Sequence, residues 1–423
     1  MSTFRIKLSL FINYFVFAIL LNSVGTVILL VQTYFGANAK QASYLDPFKD
    51  LSIAVASFLV GAFISKIGYK KSMLLALLSV AIACFIIPSI KLFIAIKILC
   101  AVAGFAFGLT KVSVFGTIGL VTKSEKEHLS LMNFIESFFM IGVLSGYYLF
   151  AYFSKEPTTG HWFDAYYVVG GLSLVAFLVL LTAKLDESAI KKEKVSSASE
   201  DLVSMLSLIA LPMVISFVVC AFFYVLIEQS TMNWLPTFNK DVLQIKEQLA
   251  IVLGSILSGA IALGRFLAGI VLRRINWFRV LIGCLVGATI ILSISLYLAN
   301  RTDASQPITS FSNIPLVAFV FPTIGIFLAP IYPALNSVIL ASLPKTRHAG
   351  MSGLIVIFSA IGGTLGSIIT GYLFDAVGGI KAFYFSFVPI TILGIFIYIF
   401  KGIKYRNSNI KTDSIIIDAN ATH

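Results

Sequence analysis

Roughly twelve apolar runs, each long enough to cross a bilayer as a helix, leave this chain few folds to choose from. A helix needs about 20 apolar residues to span the hydrocarbon core. Breaks at charge, Gly, Pro or Asn divide the sequence at approximately 8–34, 46–65, 71–90, 92–121, 127–153, 163–184, 204–233, 247–272, 276–299, 315–342, 346–374 and 378–401. Only 12% of the residues are charged and 58% are hydrophobic, whereas soluble domains carry about 25% charged residues. The mean hydropathy is +0.97. The chain therefore reads as an all-α, multi-pass integral membrane protein, with the lipid bilayer as its first partner. Its first run is longer than the core of a signal peptide and is taken as an uncleaved span.

A net charge of +12 would point to nucleic acid in a soluble protein. Here the basic residues fall in the short breaks, where they set topology and meet anionic headgroups, so no nucleic-acid partner is expected. With the amino terminus inside, roughly twenty Lys and Arg lie on the cytoplasmic side and roughly eight outside, the distribution that the positive-inside rule favours. Both termini are then cytoplasmic, in what is expected to be a bacterial inner membrane. Cys84, Cys100, Cys220 and Cys284 all sit inside apolar runs without paired spacing, which indicates neither disulfides nor a metal site. No cofactor motif is present.

The polar stretch "KLDESAIKKEKVSSASED" divides the chain into an amino-terminal six-helix bundle over 1–184, a cytoplasmic linker over 185–203 and a carboxy-terminal bundle over 204–401. Residues 402–423 form a short polar cytoplasmic tail. The two bundles look related. "GAFISKIGYKK" from Gly61 and "GIVLRRINWFR" from Gly269 follow the second and eighth runs, and Gly142/Gly146 and Gly362/Gly366 repeat at the same spacing in the fifth and eleventh. Glycines four apart let helix backbones approach closely.

These motifs resemble the major facilitator superfamily. "GAFISKIGYKK" is similar to its signature Gly-x-x-x-Asp-Arg-x-Gly-x-Arg, with Ser65 and Lys66 in place of Asp and Arg and with the turn residue Gly68 kept. "NSVGTVILLVQTYFG", "NFIESFFMIG", "YVLIE" with "WLPTF", "GRFLAG", "PIYPALNS" and "IGGTLGSIITGYLFDAVG" look like the fucose–proton symporter branch. The resemblance implies two pseudo-symmetric bundles and transport of a small solute by alternating access, in a chain expected to act as a monomer. It departs from the sugar carrier in span five, where an amide of the branch is replaced by Glu136 and a second by Phe139. Span one offers Asn22 and Gln32 where the carrier has an acid.

Charged side chains far from the membrane surfaces cost about 2.5–3.5 kcal/mol each on insertion scales and so point to function. Glu136, about nine residues into its span and roughly 13 Å deep, is the expected proton-coupling residue; the alternative is a structural hydrogen bond or a salt bridge to a lysine. Lys111 on span four is its candidate partner, or else a ligand for an anionic group on the substrate, or a snorkelling side chain. Glu228 and Asn233, placed toward the outer end of span seven, are expected to line a substrate site. Pro236 is expected to stop the helix there, with Trp234 at a gate or membrane boundary. Asn22, Asn133, Tyr224, Tyr332 and Asn336 complete the candidate substrate residues, and Pro330 and Pro333 are expected to bend span ten. Gly61, Lys66, Gly68 and Arg265 are structural or gating candidates. Asp375, placed near a cytoplasmic turn, is the suggested partner of Arg265.

A sugar-like or otherwise hydroxylated nutrient moved with protons is the leading expectation. Export of a metabolite, siderophore or drug, and a transporter-like sensor that does not cycle, are the alternatives. The four histidines, His128, His161, His348 and His423, form no catalytic cluster and no phosphate-binding Gly-Lys-Ser/Thr loop occurs, so an enzyme is not expected.

Overall fold

In hydrocarbon every backbone N–H and C=O must find its partner inside its own segment, and the apolar runs accordingly become helices. The computed structural model describes residues 2–122, 125–187, 207–272, 274–302, 306–343 and 348–421. Span one is a pair of helices, Ser2–Asn22 and Val24–Phe35, followed by a short helix, Ala39–Ser43. Spans two to six are Leu45–Ile67, Tyr69–Ile90, Phe93–Val121, Glu125–Phe153 and Ala165–Thr182. Spans seven to nine are Pro212–Asp241, Glu247–Val271 and Trp277–Arg301. Span ten is assembled from Val317–Val320, Ile324–Leu328 and Ile331–Ala341, interrupted around Pro322, Pro330 and Pro333 as prolines without an N–H require. Span eleven is His348–Val377, and span twelve runs from Gly379–Tyr384 into Phe387–Ala421. Among the described residues, ten helices are long and apolar enough to cross a membrane. Spans two and five, parts of which lie outside the described side chains, complete the twelve helical spans described.

Two boundaries differ from the sequence expectation. Span seven runs to Asp241 and continues straight through Pro236. Proline removes one N–H and leaves the carbonyl four residues back, that of Met232, without its helical donor. That carbonyl lies against span one, 2.8 Å from where a Cβ on Gly25 would sit, so packing holds the helix together where local bonding lapses. Glu228 consequently stands near the middle of its span, not toward the outer end. The segment after Lys401 continues the last helix to Ala421 and is not an irregular tail. Of the expected linker, residues 188–203 lie outside those described.

The two sets of six spans pack by one scheme. Span one lies on five and seven on eleven; two lies on four and eight on ten; three lies on six and nine on twelve. The paired glycines explain the first of these. A Cβ on Gly142 would come 2.6 Å from the Phe15 carbonyl oxygen, and one on Gly362 or Gly366 would overlap the carbonyl oxygens of Phe222 or Leu226. Small residues thus bring backbones into contact where larger ones would hold them apart.

The sets meet where span two lies on eleven, span five on eight, Val24–Phe35 on seven, and Ala39–Ser43 on eleven. Nearly all the polar links described between them sit toward the end at which spans one and two connect. There Gln32 donates to Thr237 (3.4 Å), and Lys240 donates to Thr33 (3.0 Å) and pairs with Glu247 (3.5 Å).

At the opposite end, Gly68 has φ +87° and opens span three, the role expected of it. The Glu187 carboxylate accepts the Lys70 N–H (2.8 Å), while the Lys70 ammonium donates to the carbonyls of Leu181 (3.1 Å) and Ala183 (2.6 Å). An acid at a helix start and a base at a helix end both oppose the helix dipole. Glu187 so places a carboxylate beside a turn whose own acid is replaced by Ser65. Gly61 and Lys66 lie on the helical end of span two, and their surroundings fall outside the described residues.

Gly362→Ala is expected to destabilise the protein by about 1–3 kcal/mol, the usual range for overpacking, because the obstructing atom is backbone. Gly171, with nothing within 4 Å of an added Cβ, should tolerate Ala without loss. Thermal unfolding midpoints of the two variants in detergent check the contrast.

Candidate functional site

Tyr224 and Glu228 are one turn apart on span seven and share a face. The Tyr224 hydroxyl donates to Glu228 Oε1 at 2.7 Å. Its ring is stacked on that of Tyr332 from span ten, with centroids 5.4 Å apart and planes at 17°. The Tyr332 hydroxyl bonds in turn with that of Ser359 on span eleven, at 2.9 Å. Asn336 follows Tyr332 by one turn, and its Oδ1 is buried without a hydrogen-bond partner. A buried amide oxygen left open is costly and marks a place where a donor fits.

Four of the sequence candidates therefore form one assembly: Tyr224, Glu228, Tyr332 and Asn336. Arg265, on span eight, lies within electrostatic reach of Glu228. Its guanidinium also touches Met140 Sδ of span five, at 3.9 Å. The carboxylate near Arg265 is Glu228 and not Asp375. Within the first set of spans, Phe11 meets Phe138 at 4.8 Å between centroids, and Tyr14 and Phe107 both pack on Phe139 at 5.9 and 6.2 Å.

Asn22, Asn233, Trp234 and Asp375 go elsewhere. Asn22 donates to Ala18 O of its own helix at 3.0 Å, beside the break at Ser23. Lys111 is half-buried on span four. Asn133 and Glu136 lie on the helix of span five, but their side chains fall outside those described. Trp234 is fully buried, donates to Ser367 O of span eleven at 3.0 Å and packs on Phe374 at 5.0 Å, so it is a structural wedge between helices and not a boundary anchor.

Asp375 lies at the end where spans one and two connect, because an eleventh span runs in the same direction as the first. There it accepts the N–H groups of Ala39 (3.0 Å) and Lys40 (2.8 Å). Both belong to the short helix Ala39–Ser43 of the other set of spans, whose first amides would otherwise go unpaired.

Asn233 is turned away from Glu228 and donates to Asp46 Oδ2 of span two at 2.6 Å. Asp46 is bonded in turn to Lys49 (3.0 Å), which also pairs with Asp50 (3.3 Å). Reading the second run as starting at residue 46 made these three charges look like a membrane boundary. Their i, i+3 and i+4 spacing, which puts them on one helix face, was the signal available. Among the described residues, no group of three or more His, Cys, Asp or Glu is arranged to hold a metal ion.

The model of the Major Facilitator Superfamily matches residues 10–305. A curated relative, the TsgA homolog of Buchnera aphidicola from Acyrthosiphon pisum (strain Tuc7), is 22% identical over 403 residues, covering 94% of this chain and 95% of its own. A mutant of the nucleoside transporter NupG superposes with a TM-score of 0.71 at 17% identity, over 94% of this chain and 99% of that one. The E. coli fucose:proton symporter FucP superposes with a TM-score of 0.60 at 16% identity, over 95% and 99%.

Asp375→Ala removes the acceptor of two backbone donors, and hydrogen bonds to charged groups are worth about 1.5–3 kcal/mol each. Ser43, buried beneath that contact, gives the readout. Labelling of Ser43→Cys by a membrane-impermeant maleimide in whole cells is expected to speed up by about tenfold or more when Asp375→Ala is added.

Proposed function

The chain belongs to the major facilitator superfamily, and from that premise we propose that it is a secondary active transporter of a small hydroxylated organic solute, sugar-like in character. The observation that carries the reading is the assembly of Tyr224, Glu228, Tyr332 and Asn336 near the middle of span seven. A stacked tyrosine pair offers an apolar ring face, while a carboxylate and an open amide oxygen accept hydrogen bonds from hydroxyls. Solutes with hydroxyls on one side and carbon–hydrogen faces on the other suit such a site. Two structural neighbours, a nucleoside transporter and a fucose:proton symporter, are in keeping with it.

Movement follows alternating access, in which two related bundles rock about a central site. The bundles are 1–184 and 204–401, joined through 185–203, in a monomer set in the bacterial cytoplasmic membrane with both termini inside. The end carrying the contacts of Asp375 and Asn233 then faces outward, so the structure represents a state closed to the exterior. Glu136 carries the coupled proton, with Lys111 as its candidate partner in the same bundle.

A thermal-shift screen of the purified protein against sugars, polyols, amino acids and nucleosides identifies the solute class. For the solute found, Glu228→Gln is expected to weaken binding by about tenfold or more, since a hydrogen bond to a charged acceptor is lost; unchanged affinity counts against the site. In proteoliposomes, Glu136→Gln is expected to abolish uphill uptake driven by a pH gradient while sparing solute exchange. Normal accumulation by that variant overturns its assignment as the coupling residue.

A further inference from the structure

Asp46, Lys49 and Asp50 are 0%, 3% and 6% exposed, which makes them more deeply buried than Glu228, and the solute site uses none of them. Their place explains the burial. Span two presents them to the other bundle, where Asn233 of span seven donates to Asp46 Oδ2 at 2.6 Å. Gly363 of span eleven lies so close that an added Cβ would come 3.0 Å from Asp50 Oδ2 and 3.1 Å from Gln229 Cγ. On the other side of the cluster, Gly104 of span four admits the backbone of Lys49.

The charges do not balance. Two carboxylates share one ammonium: Lys49 Nζ lies 3.0 Å from Asp46 Oδ1 and 3.3 Å from Asp50 Oδ1. The second oxygen of Asp46 has Asn233, but the second oxygen of Asp50 is buried with no hydrogen-bond partner. Among the described residues no other charge compensates, Lys97 of span four being directed to the rings of Phe48 and Phe93, 5.9 and 4.5 Å from their centroids. Span four brings the Cys100 thiol within electrostatic reach, span seven brings the uncharged Asn233 and Gln229, and span eleven brings Gly363. Lys40 of the short helix Ala39–Ser43 is directed to the Tyr372 ring, 5.7 Å from its centroid. A buried charge left unpaired costs several kcal/mol, and the position of Lys49 between the acids repels a metal cation.

We propose that Asp46, Lys49 and Asp50 form a proton-binding site that controls closure of the outer gate. With both acids ionised the cluster carries one excess negative charge and needs water, which it has only when span two stands apart from spans seven and eleven. One proton, placed at the open oxygen of Asp50, makes the cluster neutral and lets the bundles close over it. Closing thus takes up a proton, and the closed form is favoured as pH falls. This rests on the alternating-access reading but on neither the solute nor Glu136. It gives the exterior pH a direct hold on a gate that lies away from the solute site.

The test is electron–electron double resonance on the full chain in nanodiscs, with spin labels at Glu156→Cys and Ser310→Cys on the outer loops and the four native cysteines replaced by Ala. Between about pH 8.5 and about pH 5.5 the ratio of short to long distances is expected to rise by about tenfold or more, uptake of one proton limiting the slope to about tenfold per pH unit. Asp50→Asn should hold the ratio high and nearly flat. Lys49→Met, measured in parallel so that misfolding of one variant does not end the test, leaves two acids without a base and should move closure to lower pH. Two distances whose ratio ignores pH in the parent protein overturn the proposal and leave alternating access standing. An Asp50→Asn protein with the parent's pH dependence, or a Lys49→Met midpoint that stays put or rises, overturns it as well. A single distance in every protein at every pH overturns both readings together.

Discussion

Hydrocarbon offers no hydrogen bonds, so whatever polar group this chain carries into the membrane must be matched by another part of the chain. Most of the architecture follows from this requirement. Serines and threonines along the spans, such as Ser230 and Thr231, return their hydroxyls to carbonyls of their own helices at 2.6 and 2.9 Å. Where one helix cannot satisfy itself, as at Pro236, a neighbour packs tightly enough to hold it. A transporter must also break some of these matches reversibly. The groups joining the two bundles therefore have to be good partners to one another and acceptable partners to water, which favours carboxylates, amides, lysine and backbone N–H over apolar surface.

The spans were legible because their signal is repeated about twenty times over in each. That spans five and eleven approach other helices closely was legible for a different reason, although the partners, spans one and seven, were not. Glycines at four-residue spacing state a close approach directly, and Gly142, Gly362 and Gly366 meet carbonyls of the facing helices. Local signals misled where tertiary context outweighed them. Pro236 reads as a stop, yet the neighbouring helices carry span seven five residues further. Asp375 shares a cytoplasmic-looking loop motif with the turn after span two, with Gly378 at φ +84° matching Gly68 at +87°, but it lies at the opposite end of the molecule.

The solute site was half legible. Tyr224 and Glu228 share a helix face by spacing, as do Tyr332 and Asn336, but the stacking that unites the two pairs depends on how spans seven and ten cross, which no local pattern encodes. Asn233 seemed to belong with Glu228 because the two are close in sequence. Five residues turn it about 140° around the helix, and it faces the other bundle. The same arithmetic divides one polar stretch of span seven into a face that carries Glu228 beside Tyr224 and a face that carries Asn233 against Asp46 of the other bundle.

The contact of Asp375 with Ala39 and Lys40 has a consequence for how sequences of this kind drift. Its donors are peptide groups, supplied by any residue except proline, so half of the contact leaves no imprint on amino-acid identity. Covariation between the two segments is therefore expected to be silent even where they touch, and a clasp of this sort stays hidden from comparisons of related chains.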